Sequence, residues 1–495
     1  MRLLFINPNL RPGNPVRYLP VGLAYVMTAV QRAGYDLELL DIGLHDHSDR
    51  EVEAHLARGR WDVVLVGSIV THYKWIKWLT RAIRRHQPEA TIVVGNSVAG
   101  SIPDLFLQHS TADVVVVGEG EITTVAVLDA LRRGEPLAAV AGIVLRAPDG
   151  SIRHTPRRRA APIDSIADPD WELFDVQRYF QVTDSPSAFG VRDDGQIWRT
   201  MPVSTARGCV FHCSFCHIVF KHDPYRHRDV DAILDEVARC TERYGANYIN
   251  FWDDLTFYKL AQAEKIVDGI LASGLRFHWS AAVRTDLFGN PKIPHARRLE
   301  VARKFKEAGC LTLGYSLESG NPAILEMMQK HVAVEFFEEQ VRILREVGIA
   351  SNTSIVIGYP IETRETIRQT FDLCERNAIY PSVGFLLPLP DTGMYRYARE
   401  HGYIPDENAF LDSITERQDI CLNMTQMSDA EILEEIQRGC GRLNEQLQLG
   451  LSEDRLIRTG GYRKHTRVEA RPGAPTRPRR LSNSLSLNYS EQLFE

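Results

Sequence analysis

Three cysteines lie close together in the stretch Arg207-Gly208-Cys209-Val210-Phe211-His212-Cys213-Ser214-Phe215-Cys216, with the spacing C-x3-C-x2-C. Three thiolates on one loop can each bind one iron of a 4Fe–4S cube, which leaves the fourth iron able to bind a substrate or a cofactor. A zinc site completed by His212 or His217 is an alternative reading. Structural zinc sites normally show a second pair of ligands, and the stretch has none. The spacing therefore favours a 4Fe–4S cluster held by Cys209, Cys213 and Cys216.

The other five cysteines are far apart in the sequence, and most fall in helical patterns: Cys240, Cys310, Cys374, Cys421 and Cys440. Cysteines of this kind are usually buried thiols that take part in packing. The first 200 residues contain no cysteine at all. A second cluster is therefore not expected.

The elements that position the cysteine loop follow an alternating pattern. A strand is predicted at residues 203–206, directly before the cysteines, and five more are predicted downstream, at 248–252, 277–282, 311–316, 353–357 and 383–387. Helical patterns separate them. Six strands with intervening helices predict a partial (β/α)6 barrel, an opened relative of the eight-unit barrel, with its site where the strands end.

The first 150 residues show a second alternating pattern. Apolar runs at 3–6, 37–40, 63–66, 92–94 and 114–117 end near Gly, Asn or Asp, and helical stretches such as 22–32 and 73–86 lie between them. Continuous apolar runs of this length are typical of strands buried on both faces. The pattern predicts a doubly wound, Rossmann-like α/β domain that binds ligands at the carboxyl ends of its strands.

Composition and length set outer limits. The chain has 495 residues, 44% hydrophobic and 25% charged, which is ordinary globular usage. The net charge of −6 argues against a general nucleic-acid binder. No apolar run approaches the roughly 20 residues needed to cross a bilayer, and the first apolar run is too short for a signal peptide. We therefore expect a cytoplasmic protein with no membrane partner.

Five segments are predicted: an N-terminal domain at 1–146, a linker rich in turn signals at 147–200, the barrel at 201–390, an amphipathic helical region at 391–458, and a tail at 459–495. The tail is rich in Gly, Pro, Arg and Ser, and this composition predicts disorder. Its basic residues could dock an acidic carrier or a nucleic acid, but a solvated tail is the simpler interpretation.

The cysteine loop, with Phe215 before its last cysteine, resembles that of the radical S-adenosylmethionine (SAM) superfamily. Four strand ends resemble the same family: Tyr248–Asp254, Trp279–Asp286, Gly314–Gly320 and Ile357–Thr363. The resemblance implies that SAM binds the free iron and that Phe215, Glu318, Ser319 and Gly358 contact SAM. Glu318 could instead be a paired carboxylate of the barrel rim. Asp253, Asp254 and Arg284 are candidate substrate ligands, although the two aspartates could be loop caps and Arg284 could pair with Asp286.

The N-terminal domain resembles the cobalamin-binding domain that precedes many radical SAM barrels. The matching pieces all follow strands: Asn7-Pro8-Asn9, Gly67-Ser68-Ile69, Gly95-Asn96-Ser97 and Gly118-Glu119-Gly120-Glu121. Small residues at strand ends let a flat macrocycle approach the backbone. The resemblance implies a cobalamin site that includes Asn7, Pro8, Ser68, Gly95, Asn96 and Gly118.

One departure from that family concerns the cobalt ligand. The D-x-H-x-x-G signature, which supplies an axial histidine, is absent, and Asp41-Ile42-Gly43-Leu44-His45 does not match it. His45 and His47 are the nearby substitutes in sequence. We expect cobalamin to bind without a histidine ligand. A domain without cobalamin that docks a partner is the alternative.

The two resemblances together imply a cobalamin-dependent radical SAM enzyme. In such enzymes a 5′-deoxyadenosyl radical abstracts hydrogen from an unactivated carbon, which then receives a methyl group from cobalamin. C-methylation of a small metabolite or biosynthetic intermediate is the expected outcome. Cyclisation or rearrangement with the same cofactors is the alternative. The implied partners are a small-molecule substrate and an electron donor such as flavodoxin or ferredoxin.

Overall fold

The computed structural model describes residues 1–11, 17–182, 197–415 and 417–457. The predicted tail at 459–495 lies outside these residues. Within them, no helix has the length and apolar character needed to cross a membrane.

The first sheet has seven strands in the order β2-β1-β3-β4-β5-β6-β7. The strands are β1 Leu3–Asn7, β2 Leu37–Asp41, β3 Val63–Gly67, β4 Thr91–Gly95, β5 Val114–Val116, β6 Ile143–Arg146 and β7 Ile152–His154. The first five are mutually parallel, and β6 and β7 are antiparallel additions at one edge. The five parallel strands confirm the predicted sheet. β7 extends it into the segment predicted as a linker.

Alternate side chains of these strands enter two different apolar cores. Leu3 and Phe5 pack into one core, and Leu4 and Ile6 pack into the other. Both faces of the sheet are therefore covered by helices, which explains the continuous apolar runs. The helices are α1 Val21–Arg32, α2 Ile42–His45, α3 Asp49–Arg58, α4 Tyr73–His86, α5 Ser97–Gly100, α6 Pro103–His109 and α7 Gly120–Arg133, followed by α8 Val176–Val182.

The second region is an open barrel of parallel strands. Five strands form one sheet in the order β14-β13-β12-β11-β8, and β15 and β16 form a separate pair. An isolated parallel bridge between Glu318 and Ile355 joins the two sheets. The strands are β8 Thr200–Val203, β9 Ala206–Arg207, β10 Arg226–His227, β11 Tyr248–Phe251, β12 His278–Ala282, β13 Cys310–Gly314, β14 Ala350–Asn352, β15 Ser354–Ile357 and β16 Ser382–Phe385.

Helices cover the outer face of these strands. They are α9 Val230–Tyr244, α10 Leu260–Ser273, α11 Asp286–Gly289, α12 His295–Glu307, α13 Pro322–Met327, α14 Val334–Glu346 and α15 Arg364–Arg376, followed by α16 Gly393–Glu400, α17 Glu407–Ser413 and α18 Asp429–Gln446. α18 packs along α15 and continues the helical layer. The order of strands and helices agrees with the predicted partial barrel and C-terminal helices.

The strand predicted at residues 203–206 was placed wrongly, because β8 ends at Val203. The backbone N–H groups of Thr205 and Ala206 donate to the carboxylate of Asp253 at 3.0 and 3.1 Å. Residues 203–206 are buried, but the Asp253 side chain, which follows β11, takes the hydrogen bonds that a neighbouring strand would take. The chain therefore turns before the cysteine loop begins.

Candidate active site between the two sheets

The cysteine loop runs between β9 and β10 and is fixed through Ser214. The Ser214 N–H donates to the Met328 carbonyl at 2.8 Å, and its hydroxyl donates to the Met327 carbonyl at 2.9 Å. The Met394 N–H donates to the Ser214 carbonyl at 2.8 Å. The end of α13 and the start of α16 thus hold the middle of the loop, so the cysteines have a rigid support.

The three thiols of the loop are half-buried and close enough to influence one another. Burial, followed by the neighbouring Cys213 thiol and the Asp254 carboxyl, raises the pKa of Cys216 to about 12. Burial, with the same two neighbours, also raises the pKa of Cys209. These shifts identify a site whose thiolates need added positive charge, which bound iron supplies.

Within the described residues, no three His, Cys, Asp or Glu side chains converge as they would on a single metal ion. Three free thiols on one loop are the donor set of a 4Fe–4S cube, which takes each thiolate at a different iron. The chemistry of these residues therefore fits a cluster.

The residues predicted to contact SAM lie around this loop. Phe215 is half-buried, and its ring centroid lies 6.4 Å from that of Tyr359, edge to face. Glu318 is buried, has a left-handed backbone (φ 64°), and accepts a hydrogen bond from the Lys330 ammonium at 2.9 Å. Lys330 also lowers the pKa of Cys216, which places the Glu318–Lys330 pair beside the cluster loop. The rim pairing considered for Glu318 is therefore present.

Ser319 and Gly358 have local roles in the structure. The Ser319 hydroxyl accepts a hydrogen bond from the Asn321 N–H at 3.1 Å and lies 3.4 Å from the Thr370 hydroxyl, so it faces α15. Gly358 has φ 112°, a conformation that side chains rarely adopt, and its N–H donates to Glu362 at 3.3 Å. A contact of either residue with SAM stays a prediction.

Of the candidate substrate ligands, Asp253 and Arg284 are held by the protein. The Asp253 carboxylate accepts hydrogen bonds from Ser204, Thr205 and Ala206, as a loop cap would. Arg284 is buried. It donates to the Lys330 carbonyl at 2.6 Å, forms an ion pair with Asp286 at 3.4 Å, and lies 3.5 Å from the centre of the Phe211 ring.

Asp254 differs from its neighbour. The residue is exposed at the surface, and its carboxyl makes no hydrogen bond or ion pair with the rest of the described chain. Partial desolvation by the protein around the carboxyl, together with repulsion from the nearby Asp253 carboxyl, raises the pKa of Asp254 to about 6. Its influence on Cys209 and Cys216 places it beside the cluster loop. It is the candidate among the three that is available to a substrate.

The predicted cobalamin residues lie at the carboxyl edge of the first sheet. The Ser68 hydroxyl is buried and has no hydrogen-bond partner within the described structure. Gly95 leaves space above the edge, because an added Cβ would touch only Val116 at 3.8 Å. Gly118 has φ 81° and open space around it. An orphaned hydroxyl and two uncovered glycines at one sheet edge fit a ligand that approaches the backbone closely.

Asn7 and Asn96 serve the protein itself. The Asn7 amide donates to Asp41 at 2.7 Å and to the Tyr179 hydroxyl at 3.2 Å. Asn96 caps α5, because its side-chain oxygen accepts from the Ser97 N–H at 2.6 Å, and its φ is 65°. Pro8 follows Asn7 at the end of β1 and is buried. These contacts leave their role toward cobalamin a prediction.

A buried ion network joins the two sheet edges, and the sequence reasoning missed it. Arg207, one residue before the cysteine loop's Gly208, donates to Glu119 at 3.0 Å and to Glu121 at 2.6 Å. Arg226 pairs with the same Glu119 from β10. All four side chains are at most 13% exposed. The motif containing Glu119 and Glu121 was recognised for its glycines. Arg207 and Glu121 are 86 positions apart in the sequence, so no local sequence pattern predicts that they pair.

A second contact links the edges next to the last cysteine. His217 lies 3.4 Å from the Ser101 hydroxyl, in the segment after α5, and 3.0 Å from the Pro390 carbonyl. Burial lowers the pKa of His217. The candidate cobalamin edge and the cluster loop therefore lie against each other.

The enzyme therefore has a cluster loop on an open barrel, and the ligand-binding edge of a Rossmann-like domain faces that loop. The model of the radical SAM superfamily matches residues 203–374, and that of the B12 binding domain matches residues 15–128. The chain belongs to the cobalamin-dependent radical SAM family, and its cofactors are a 4Fe–4S cluster, SAM and cobalamin.

Two curated relatives are methyltransferases. The chain is 27% identical over 383 residues to an uncharacterised methyltransferase of Pyrococcus horikoshii, covering 77% of this chain and 78% of the relative. It is 24% identical over 489 residues to cytidylyl-2-hydroxyethylphosphonate methyltransferase of Streptomyces wedmorensis, covering 88% of each chain. Its distant homologues are mostly methyltransferases, and some are cyclases.

A solved structure shares the fold. The radical SAM methyltransferase TsrM of Kitasatospora setae, with cobalamin and a [4Fe-4S] cluster bound, superposes with a TM-score of 0.63 and 19% sequence identity. The match covers 81% of this chain and 75% of that chain. The likeness confirms the arrangement of a Rossmann-like sheet followed by an open barrel.

Proposed function

We propose that this enzyme transfers a methyl group to an unactivated carbon of a small metabolite or biosynthetic intermediate. The proposal rests on one observation: the candidate cobalamin edge lies against the cluster loop. The Arg207–Glu121 pair at 2.6 Å and the His217–Ser101 contact at 3.4 Å hold the candidate cobalamin edge against the cluster loop. A substrate in the cleft between them would be within reach of both cofactors.

When bound, the reduced cluster supplies the electron that cleaves SAM, and cobalamin carries the methyl group. The protein's own part is to hold the ligands and fix distances. Cys209, Cys213 and Cys216 would hold the cluster. Ser68, Gly95 and Gly118 would border cobalamin.

Asp254 would orient the substrate. It lies beside the cysteine loop, and its carboxylate oxygens are not engaged within the described chain. Asp253 and Arg284 would not contact the substrate but would position the cysteine loop. Asp253 shapes the backbone before the cysteines. Arg284 supports Phe211 within the loop.

Radical cyclisation is the second candidate, because homologues include anaerobic magnesium-protoporphyrin IX monomethyl ester cyclases. The two functions differ in what becomes of the SAM methyl group. A methyltransferase places it in the product, and a cyclase does not.

The test is anaerobic reconstitution with iron, sulfide and hydroxocobalamin, followed by incubation with candidate extracts and SAM that carries a trideuterated methyl group. We expect a product heavier than its substrate by a CD3 group in place of one hydrogen. A product that forms with SAM cleavage but without deuterium would support cyclisation instead.

Variants of the cluster ligands provide the control. Alanine at Cys209, Cys213 or Cys216 should abolish formation of 5′-deoxyadenosine and lower the bound iron. Cys421→Ala, which removes a half-buried thiol far from the loop in sequence, should leave both at wild-type values. If the triple variant keeps its iron and its cluster absorbance, the ligand assignment is wrong.

A further inference from the structure

Large apolar side chains at the surface are concentrated in one part of the fold. Among the described residues, eleven such side chains are exposed. Nine of these follow the carboxyl ends of strands, in loops or a first helical turn: Leu10, Tyr18, Ile69, Ile122, Val210, Val219, Trp252, Tyr258 and Ile361. We call these nine residues the apolar rim. Exposed apolar residues scattered singly are normal, but a group on one functional edge marks a binding surface.

The rim includes side chains of both domains that touch each other. Tyr18 precedes α1 of the first domain and Trp252 follows β11 of the barrel, and their ring centroids are 5.4 Å apart. The rings are tilted by 42°, and Tyr18 and Trp252 keep 38% and 45% of their surface exposed. The two rings therefore form a continuous apolar wall across the cleft.

The Tyr18–Trp252 wall lies in a different part of the site from the other residues of the apolar rim. Val210 and Val219 belong to the cysteine loop itself, and Ile361 follows Gly358, so these three lie on the side expected to hold SAM. Leu10, Ile69 and Ile122 belong to the first domain, on the edge where cobalamin is proposed. The Tyr18–Trp252 wall is the part where the two edges meet.

We infer that Tyr18 and Trp252 bind an apolar portion of the substrate. The inference rests on the proposed function, because that function places the substrate between the two cofactors. Asp254, two residues after Trp252, supplies one acceptor for a hydroxyl or amine of the substrate. A flat apolar group fits against two tilted rings, and the carboxylate beside them orients the polar end of the same molecule.

The experiment uses the full protein with cluster, cobalamin and SAM bound. The probes are Nile red, a neutral planar dye, and fluorescein, an anionic dye of similar size. Binding is measured by equilibrium dialysis, because the cluster and cobalamin absorb visible light. We expect the loaded wild-type protein to bind Nile red and not fluorescein. Trp252→Ala and Tyr18→Ala should each weaken Nile red binding by about tenfold, whereas Tyr18→Phe should restore it.

Ile197→Ala is the matched control, since Ile197 is 76% exposed but precedes β8 instead of following a strand. Its dye binding should match that of the wild type. Iron and cobalamin contents are measured in every variant. If cobalamin alone prevents Nile red binding to the wild type, or if Trp252→Ala loses cobalamin, the wall belongs to the cofactor and the inference is wrong.

Methyl transfer is assayed separately from dye binding. A protein that binds Nile red through Trp252 but transfers no deuterated methyl group counts against the proposed function and leaves the apolar site standing. A protein that transfers the methyl group, but whose dye binding does not change in either alanine variant, overturns the inference alone.

Discussion

Gly95 ends β4 at the edge where cobalamin is proposed to bind, and the structure makes it a clean test position. An added Cβ would touch only Val116 at 3.8 Å, an ordinary contact, so the backbone at this position does not exclude a side chain. A tryptophan there would instead occupy the space of the ligand. We predict that Gly95→Trp weakens cobalamin binding by at least about tenfold, as measured by bound cobalamin after reconstitution.

The matched control is Gly441→Trp, which adds the same ring on α18, where an added Cβ meets nothing within 4 Å. Iron content should be unchanged in both variants, because neither glycine contacts the cysteine loop. Equal cobalamin binding by the Gly95 variant and the wild type would move the cofactor away from this edge.

Glu362 is a buried carboxyl with an unusual titration. Burial raises its pKa to about 7, although the Thr366 hydroxyl and the Gly358 N–H donate to it. Between its ordinary value of 4.5 and 7, the folded protein keeps a proton that the unfolded chain has released. The free energy of unfolding should therefore fall as pH rises through this window.

We predict that Glu362→Gln removes this fall. At pH 8 the variant should be more stable than the wild type by about 1–3 kcal/mol, and at pH 4 the two should be equal. The Thr366 hydroxyl also lies 3.0 Å from the Thr363 carbonyl, so it has another acceptor if the amide turns toward it. Urea unfolding from pH 4 to 8 measures the effect, and parallel curves for the two proteins would contradict it.

At the scale of helices, Glu435 fastens α18 to α15. Its buried carboxylate accepts from Arg368 at 3.0 Å and from Arg364 at 2.8 Å, and Arg438 lies at 3.3 Å. The hydrogen bonds from Arg368 and Arg364 lower the pKa of Glu435 to about 2. Because the folded pKa lies below the ordinary 4.5, the stabilisation is complete above pH 4.5 and is lost as pH falls toward 2.

Glu435→Gln should lower the free energy of unfolding by about 1–3 kcal/mol at pH 7. Glu434→Gln is the control, because Glu434 pairs with Arg364 and Arg438 but is 55% exposed. An exposed pair contributes about 0–1 kcal/mol. Circular dichroism during urea unfolding measures both. A loss that persists undiminished near pH 2 would show that the carboxylate charge is not the cause.

Most strands and helices could be predicted from sequence, because their signal is local. The apolar run at 63–66 and the helical pattern at 73–86 match β3 and α4 closely. β7, Ile152–His154, was missed because two of its three residues are polar and exposed at the sheet edge. The cysteine spacing is equally local, so the cluster loop was found.

The rest of the site depends on contacts between distant parts of the chain. The roles of Ser204, Thr205 and Ala206 as donors to Asp253 join two strand ends about 50 residues apart. No periodicity reports such a contact. For Glu318 the sequence predicted a SAM contact or a paired rim carboxylate, but not its partner, because Lys330 comes close only through the turn after α13.

On the scale of the whole molecule, a few buried charges join the cysteine loop to the edge where cobalamin is proposed to bind. Arg207 donates from two guanidinium nitrogens to two different carboxylates, those of Glu119 and Glu121. Its guanidinium also lies 4.8 Å from the centre of the Tyr25 ring, on α1 of the first domain. Because Arg207 directly precedes the cysteine loop, the same residue fixes the loop and the edge where cobalamin is proposed to bind.

We predict that Arg207→Lys keeps both cofactors but loosens the distance between them. A lysine ammonium cannot reproduce the planar fork that serves two carboxylates at once. In the variant, the distribution of distances between cobalt(II) and the reduced cluster, measured by pulsed electron paramagnetic resonance, should become broader than in the wild type. Methylation of cobalamin by SAM, which needs no substrate, should slow by about tenfold or more.

Arg157→Lys provides the comparison, because Arg157 also joins the two parts of the chain, through Asp223 at 2.7 Å, but is 46% exposed. Its distance distribution should match that of the wild type, since an exposed pair adds little. Unchanged distances in the Arg207 variant would mean that packing alone sets the separation. A narrow distribution at a new distance would also contradict the prediction, because it would show that lysine holds the two edges as firmly as arginine does.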